Sequence, residues 1–239
     1  MTRVRVMVLV AAAMAAVMPW QAPARAQSQQ PPPLQMPQPG VPQIMTLEGN
    51  WVRVAYNNEG YVIIGYQIPQ RSVGEEWVRL EIGMSLLGNA PDFKMTREAL
   101  SLETPDGKTT PLASVEDYRA ANLQAMESRA RVQRDSINYF PPSAHQACRI
   151  GFFSQLNQRA MPWDEVELST RRACLGQIYF HPPTPITYGQ YWLNVKFEKS
   201  LVRVPFRVMT EEEEKRLSKN FGDIKKQVDD AFRPPKKKN

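Results

Sequence analysis

Apolar and polar residues alternate along four segments of the chain, a period of two that is typical of β-strands. In residues 78–86, apolar side chains take every second position, with Arg79 and Glu81 between them. Successive side chains of a strand point to opposite faces, so this pattern predicts one face in a core and one in solvent. The same alternation recurs in residues 52–56, 191–198 and 201–208.

Shorter sequence patterns predict further strands and the turns between them. Residues 61–66 are apolar on both sides, and Asn57 to Gly60 before them favours a hairpin loop. Thr104-Pro105-Asp106-Gly107 is a typical turn sequence. Pro205 cannot donate to a sheet ladder, so its strand is predicted at a sheet edge or a bulge.

About eight short strands with turns between them predict a mainly β fold, an antiparallel β-sandwich of immunoglobulin-like architecture. Only the predicted arrangement of strands supports the immunoglobulin-like class. The only two cysteines, Cys148 and Cys174, are too close in sequence for the usual disulfide between the two sheets, and neither follows a tyrosine by two residues.

Two segments interrupt the strand pattern with helix-forming residues. Residues 114–139 are rich in Ala, Arg, Gln and Glu, which predicts one inserted helix that begins at Ser114 or Val115 and lies on the surface of the sandwich. After residue 209, Thr210 and Glu213 form a capping-box sequence and predict a C-terminal amphipathic helix. Its apolar stripe consists of Leu217, Phe221, Ile224, Val228 and Phe232.

The apolar stripe has two interpretations, because apolar side chains of this size are not stable in water. The helix can pack on its own sandwich, or the five stripe residues can bind a protein partner in the cell envelope. The basic residues Lys236–Lys238 follow the helix, and we expect any membrane contact to be peripheral.

The N-terminal segment has the pattern of a cleavable export signal. Arg3 and Arg5 precede an apolar run, and Ala24-Arg25-Ala26 predicts cleavage before Gln27. Cleavage reduces 30 basic residues to 27 against 24 acidic residues, so the net charge falls from +6 to +3. The remaining charge is too small and too dispersed to predict a nucleic-acid partner. We therefore expect a periplasmic or secreted protein.

The rare cysteines and histidines gather between His145 and His181, which leaves three kinds of chemistry open. An exported protein with two cysteines favours a disulfide between Cys148 and Cys174. Two thiolates and two imidazoles could instead hold zinc, although the Cys174 to His181 spacing is long for a structural zinc site. A Cys–His nucleophile is the third alternative.

No sequence motif of a nucleotide, metal or catalytic serine site occurs in the chain, and we expect no cofactor. The sequence therefore predicts a non-catalytic structural or adaptor protein. The alternative is an envelope enzyme or a small-ligand or metal-binding protein that uses the Cys/His cluster. The predicted organisation is a signal peptide (1–26), a Pro/Gln-rich leader (27–46), a β-sandwich (47–209) and a C-terminal helix with a basic tail (210–239).

Overall fold

The structure is a computed structural model that describes residues 43–133, 135–153 and 161–232. The predicted signal peptide, the leader up to residue 42 and the basic tail lie outside the described residues. The first strand begins at Ile44, three residues before the predicted start of the sandwich.

Within the described residues the chain forms twelve β-strands and four α-helices. The strands are β1 (Ile44–Gly49), β2 (Val52–Tyr56), β3 (Gly60–Gly65), β4 (Val78–Leu86), β5 (Phe93–Thr96), β6 (Leu100–Glu103), β7 (Thr109–Pro111), β8 (Gln146–Ile150), β9 (Glu165–Leu168), β10 (Arg172–Phe180), β11 (Gly189–Lys196) and β12 (Leu201–Val208). The helices are α1 (Gln67–Gln70), α2 (Val115–Ala120), α3 (Gln124–Val132) and α4 (Glu211–Phe232), and a 3₁₀ turn covers Arg97–Ala99.

The strands form three sheets around a shared apolar core. Six strands follow the order β1-β2-β3-β4-β10-β8, four follow β12-β11-β6-β7, and β5 pairs with β9. All neighbours are antiparallel except β8 and β10, which run parallel. The main core cluster draws residues from all three sheets, including Ile82, Val166 and Val204. The prediction of a mainly β, antiparallel fold is confirmed, and β12 is an edge strand, as Pro205 predicted.

The prediction that β4 has one face in solvent is wrong, because all nine of its residues are buried. The inner face, which carries Leu80 and Ile82, lies in the main core. The opposite face, which we call the outer face, is covered by α3 and by residues 135–140. Alternation shows which side of a strand is apolar, but it does not show what covers the other side.

Two glycines on the outer face make room for this cover. A Cβ atom on Gly65 would lie 2.7 Å from Cβ of Asp135, and one on Gly83 would lie 2.9 Å from the ring of Phe140. Such distances are shorter than carbon contacts in real structures, so only glycine lets the covering segment lie this close to the sheet.

The prediction of one inserted helix is also wrong, since the insertion forms two short helices. Ser114 caps the first helix as predicted, and its Oγ accepts a hydrogen bond from Asp117 N–H at 2.9 Å. The helix ends at Ala120, and α3 then continues only to Val132. Residues 135–140 are not helical, and the carboxylate of Asp135 accepts a hydrogen bond from Gln67 N–H at 2.9 Å.

The C-terminal helix α4 begins with the predicted capping box. Thr210 N–H donates to Glu213 Oε2 at 3.0 Å, and Glu213 N–H donates to Thr210 Oγ1 at 3.3 Å. The helix is kinked at Asn220 and packs against β1. No helix of the described residues is long and apolar enough to cross a membrane.

Candidate functional site

The disulfide predicted between Cys148 and Cys174 is present. The two cysteines face each other in the parallel register of β8 and β10, with Cα atoms 4.1 Å apart. A parallel pair needs a crossover connection, and here the connection includes β9. The disulfide therefore closes the crossover covalently, and such a bond is typical of an oxidising, non-cytoplasmic compartment.

The structure does not assemble a Cys/His cluster. His145 precedes β8 at the start of the parallel pair, whereas His181 follows the last residue of β10. Nine strand residues separate the two ends, which corresponds to about 30 Å at the rise of a strand. Among the described residues, no group of three or more histidine, cysteine, aspartate or glutamate side chains is arranged to hold a metal ion.

Each histidine has a local partner instead. Nδ1 of His145 lies 2.8 Å from the backbone oxygen of Ser143. The ring of His181 stacks on Trp77 with ring centroids 4.7 Å apart, and its Nε2 lies 3.7 Å from Glu76 Oε2. Trp77 also packs against Ile68 of α1 and against Met126 and Ala130 of α3.

A groove of about 610 Å³ lies beside the disulfide, between β8 on one side and β9 on the other. Cys148 is partly exposed in this groove, while Cys174 is buried beneath it. Trp163 lines the groove as well, and 48% of its surface is exposed. The groove therefore combines an apolar wall with the backbone of an exposed strand.

Strand β8 has an open edge along this groove. Of the strands that the structure describes, only β10 pairs with β8. Gln146 N–H donates to Arg171 O on the β10 side, and Gly151 O accepts from Trp163 N–H on the other side. Backbone groups of alternate residues point to opposite neighbours. Ala147 and Arg149 therefore direct their N–H and C=O groups to the open edge, as Gly151 does.

The charged residues along the groove form ion pairs, with one exception. Lys94 pairs with Glu165 at 2.7 Å, and Arg172 pairs with Glu167 at 2.6 Å. Arg149 of β8 lies at the edge of the groove with an exposed side chain that points to the outer face, and no acidic side chain among the described residues forms an ion pair with it. Within the described residues, the open edge of β8 therefore carries one positive charge that is not neutralised.

A second polar site lies on the outer face, beneath α3. Arg79 is buried, and its Nε lies 3.1 Å from Glu127 Oε1, while its Nη2 lies 2.9 Å from Glu81 Oε1. Tyr179 OH donates to the same Glu127 oxygen at 2.7 Å. We call these four residues the buried ion cluster. It connects α3, which carries Glu127, to β4 and β10.

Burial and charge shift the pKa values in and beside this cluster. Burial opposes a charge on Arg79, but the attraction of Glu81 and the neighbouring acceptors outweighs it, and the pKa is raised. Burial raises the pKa of Tyr179 far above its ordinary value. Burial also raises the pKa of Asp135 to about 6, against the hydrogen bond from Gln67, which lowers it.

The raised pKa of Asp135 predicts a loss of stability as the pH rises. Its ordinary pKa is 3.8, so between about pH 4 and pH 6 the folded chain binds more protons than the unfolded chain, and stability falls over that window. Asp135→Asn removes this effect. We subtract the free energy of unfolding of the wild type from that of the variant. This difference should be about 1 to 3 kcal/mol larger at pH 7 than at pH 4, as measured by urea unfolding.

Asp106 provides the control, because its carboxylate is shifted in the opposite direction. A hydrogen bond from Lys108, with a second from Thr104, lowers the pKa of Asp106 to about 2. Asp106→Asn should therefore show no gain at pH 7. An Asp135→Asn variant with the same stability difference at both pH values would contradict the role of Asp135.

The five residues predicted to bind a partner through α4 lie against the chain itself. Leu217 is buried, and the other four stripe residues are half-buried. Phe232 packs against the main core, and Lys225 Nζ, on the same helix, donates to Leu47 O of β1. The structure thus places the stripe on its own domain, and a role in binding a partner stays a prediction.

Sequence reasoning missed the open edge of β8. The segment Gln146–Ile150 has no clear alternation, and its parallel partner is distant in sequence, so no local pattern indicates its position. Trp163 offered the one available signal, since a tryptophan in a polar connection between two cysteines is a candidate binding residue.

Comparisons with known proteins find no match for this chain. No protein-family model matches the chain, no curated protein is significantly similar to it, and no solved structure matches it significantly.

Proposed function

We propose that the protein is an exported, non-catalytic structural or adaptor protein of the cell envelope that acts through protein–protein contacts. The observation that carries the proposal is the open edge of β8 beside an exposed tryptophan. An open strand edge adds an extended segment of a partner through backbone hydrogen bonds. Natural sheets usually protect such edges, so one held in place by a disulfide favours a binding role.

Periplasmic or secreted localisation is part of the proposal. The disulfide supports it, because such bonds persist in oxidising compartments. The export signal at residues 1–26 supports it from the sequence. Mass spectrometry of the protein purified from the envelope fraction should find Gln27 at its N terminus, and an intact Met1 would contradict cleavage.

The immunoglobulin-like architecture stays part of the proposal as well. Two larger sheets around a common core support it. The consecutive order β1-β2-β3-β4 and the parallel pair of β8 and β10 differ from the strand arrangement of that class.

The alternative of an enzyme or metal-binding protein at the Cys/His cluster has less support. Both sulfur atoms are bonded to each other, so neither is available as a thiolate. The two histidines lie at opposite ends of β10. We therefore place the partner contact at the open edge of β8 and not at the histidines.

A photocrosslinking amino acid at position 147 tests the adaptor proposal in the cells that make the protein. We expect one adduct of defined mass from position 147 and none from position 227, an exposed position on α4. In envelope extracts, purified wild-type protein should compete for the adduct, whereas Ala147→Pro should not, because proline removes the N–H at the open edge. No adduct from position 147, or equal competition by both proteins, would overturn the proposal.

A further inference from the structure

We infer that the open edge of β8 recognises an extended protein segment in which acidic side chains alternate with apolar ones. This inference rests on the proposed adaptor function and specifies the chemistry of its partner. It follows from the two different surfaces that a strand added beside β8 would meet, and from the charge of one of them.

The first surface lies on the outer side of the edge. Cys148 points toward the core with the disulfide, so its neighbours Ala147 and Arg149 point to the outer face. Arg149 faces Leu175 in the register with β10, and both side chains are exposed. An added strand places every second side chain on this side and one of them beside Arg149, where a carboxylate would neutralise its charge.

The second surface lies on the groove side of the same edge. Here the partly exposed Cys148 and the ring of Trp163 line the groove. Trp163 is held in place, because its backbone N–H donates to Gly151 O at 2.8 Å and its ring packs directly over Gly151. The remaining side chains of an added strand would enter this groove, where apolar groups remove the most apolar surface from water.

The same chemistry argues against a second copy of the chain as the occupant. In a pair of β8 edges, each strand would offer Gln146, Ala147 and Arg149 to the other, and neither would supply a carboxylate. The pair would bring two positive charges together without a partner. An acidic segment of another protein satisfies the edge, whereas β8 itself does not.

Seven-residue peptides with blocked ends test the inference on the purified full-length protein by fluorescence anisotropy. One peptide alternates Val and Glu, a second alternates Val and Lys, and a third has the composition of the first with its glutamates in one block. We expect the Val/Glu peptide to bind about tenfold more tightly than the Val/Lys peptide, because one places opposite charges beside Arg149 and the other like charges. The block peptide should bind more weakly than the alternating one, since it cannot place apolar groups on one side only.

Two variants and one control connect this preference to β8. Arg149→Glu should reverse the preference between the Val/Glu and Val/Lys peptides. Ala147→Pro should weaken binding of the Val/Glu peptide at least about tenfold, because the N–H at the open edge is lost while the β10 side keeps its bonds. Arg131→Glu reverses an exposed charge on α3, a helix that packs against α1, and should leave binding unchanged.

The outcomes separate this inference from the proposed function. Equal binding of the Val/Glu and Val/Lys peptides would overturn the acidic preference, and the adaptor function would stand if position 147 still forms its adduct. If no peptide binds, strand addition at β8 is overturned, and the adaptor function again stands if position 147 still forms its adduct. Sedimentation that shows a dimer lost in Ala147→Pro would identify a second copy as the occupant and overturn the inference.

Discussion

Replacement of Arg79 by methionine is expected to lower the free energy of unfolding by about 3 to 5 kcal/mol. Only 2% of the Arg79 side chain is exposed, and it contacts the carboxylates of Glu81 and Glu127. Methionine fills a similar volume but leaves both carboxylates without their cation in a buried site. Urea unfolding at pH 7.5 measures the loss.

Two further variants separate charge from packing at this site. Glu127→Gln combined with Arg79→Met removes one of the two unpaired carboxylates, so we expect the double variant to recover part of the lost stability. Lys215→Met removes the cation of an exposed pair with Glu211 and should leave the stability almost unchanged. If the double variant recovers nothing, the loss comes from the packing of the arginine chain and the electrostatic explanation fails.

Removal of the disulfide by Cys148→Ala and Cys174→Ala is expected to lower the free energy of unfolding by about 3 to 4 kcal/mol. The cysteines are 26 residues apart, and closing a loop of this size restricts the unfolded chain by about that amount. Chemical denaturation of the variant against the oxidised wild type gives the difference.

The reduced wild-type protein is the control for this prediction. It keeps both sulfur atoms, so its stability should fall to about the level of the double alanine variant. If the reduced protein is as stable as the oxidised one while the double alanine variant is less stable, the loss comes from packing around Cys174 and not from the cross-link.

The strands of the core could be predicted because each carries its own local pattern. Alternation located β4, β11 and β12 within a few residues. The disulfide followed from the chain's two cysteines together with a predicted export signal, and the helix start followed from Thr210 and Glu213. Each of these features depends on residues close in sequence or on a count of one residue type.

The cover of the outer face could not be predicted in the same way. Arg79 and Glu81 have the pattern of solvent-facing residues, and only long-range contacts with α3 make them buried. Gly65 and Gly83 were the available signal, since glycine inside a strand indicates that another part of the chain approaches closely. The open edge of β8 depends on pairing between distant segments, and its sequence has no alternation to indicate it.

The disulfide also fixes the alignment of β8 with β10, an effect that is separate from its contribution to stability. Strand β8 is short and mostly exposed, and of the described strands only β10 pairs with it; such strands specify their pairing weakly. A shift of one residue would turn Arg149 toward the core and Cys148 outward. Because Cys148 is bonded to its direct neighbour Cys174, that shift would require the covalent bond to break. The bond therefore determines which side chains of β8 a partner can reach.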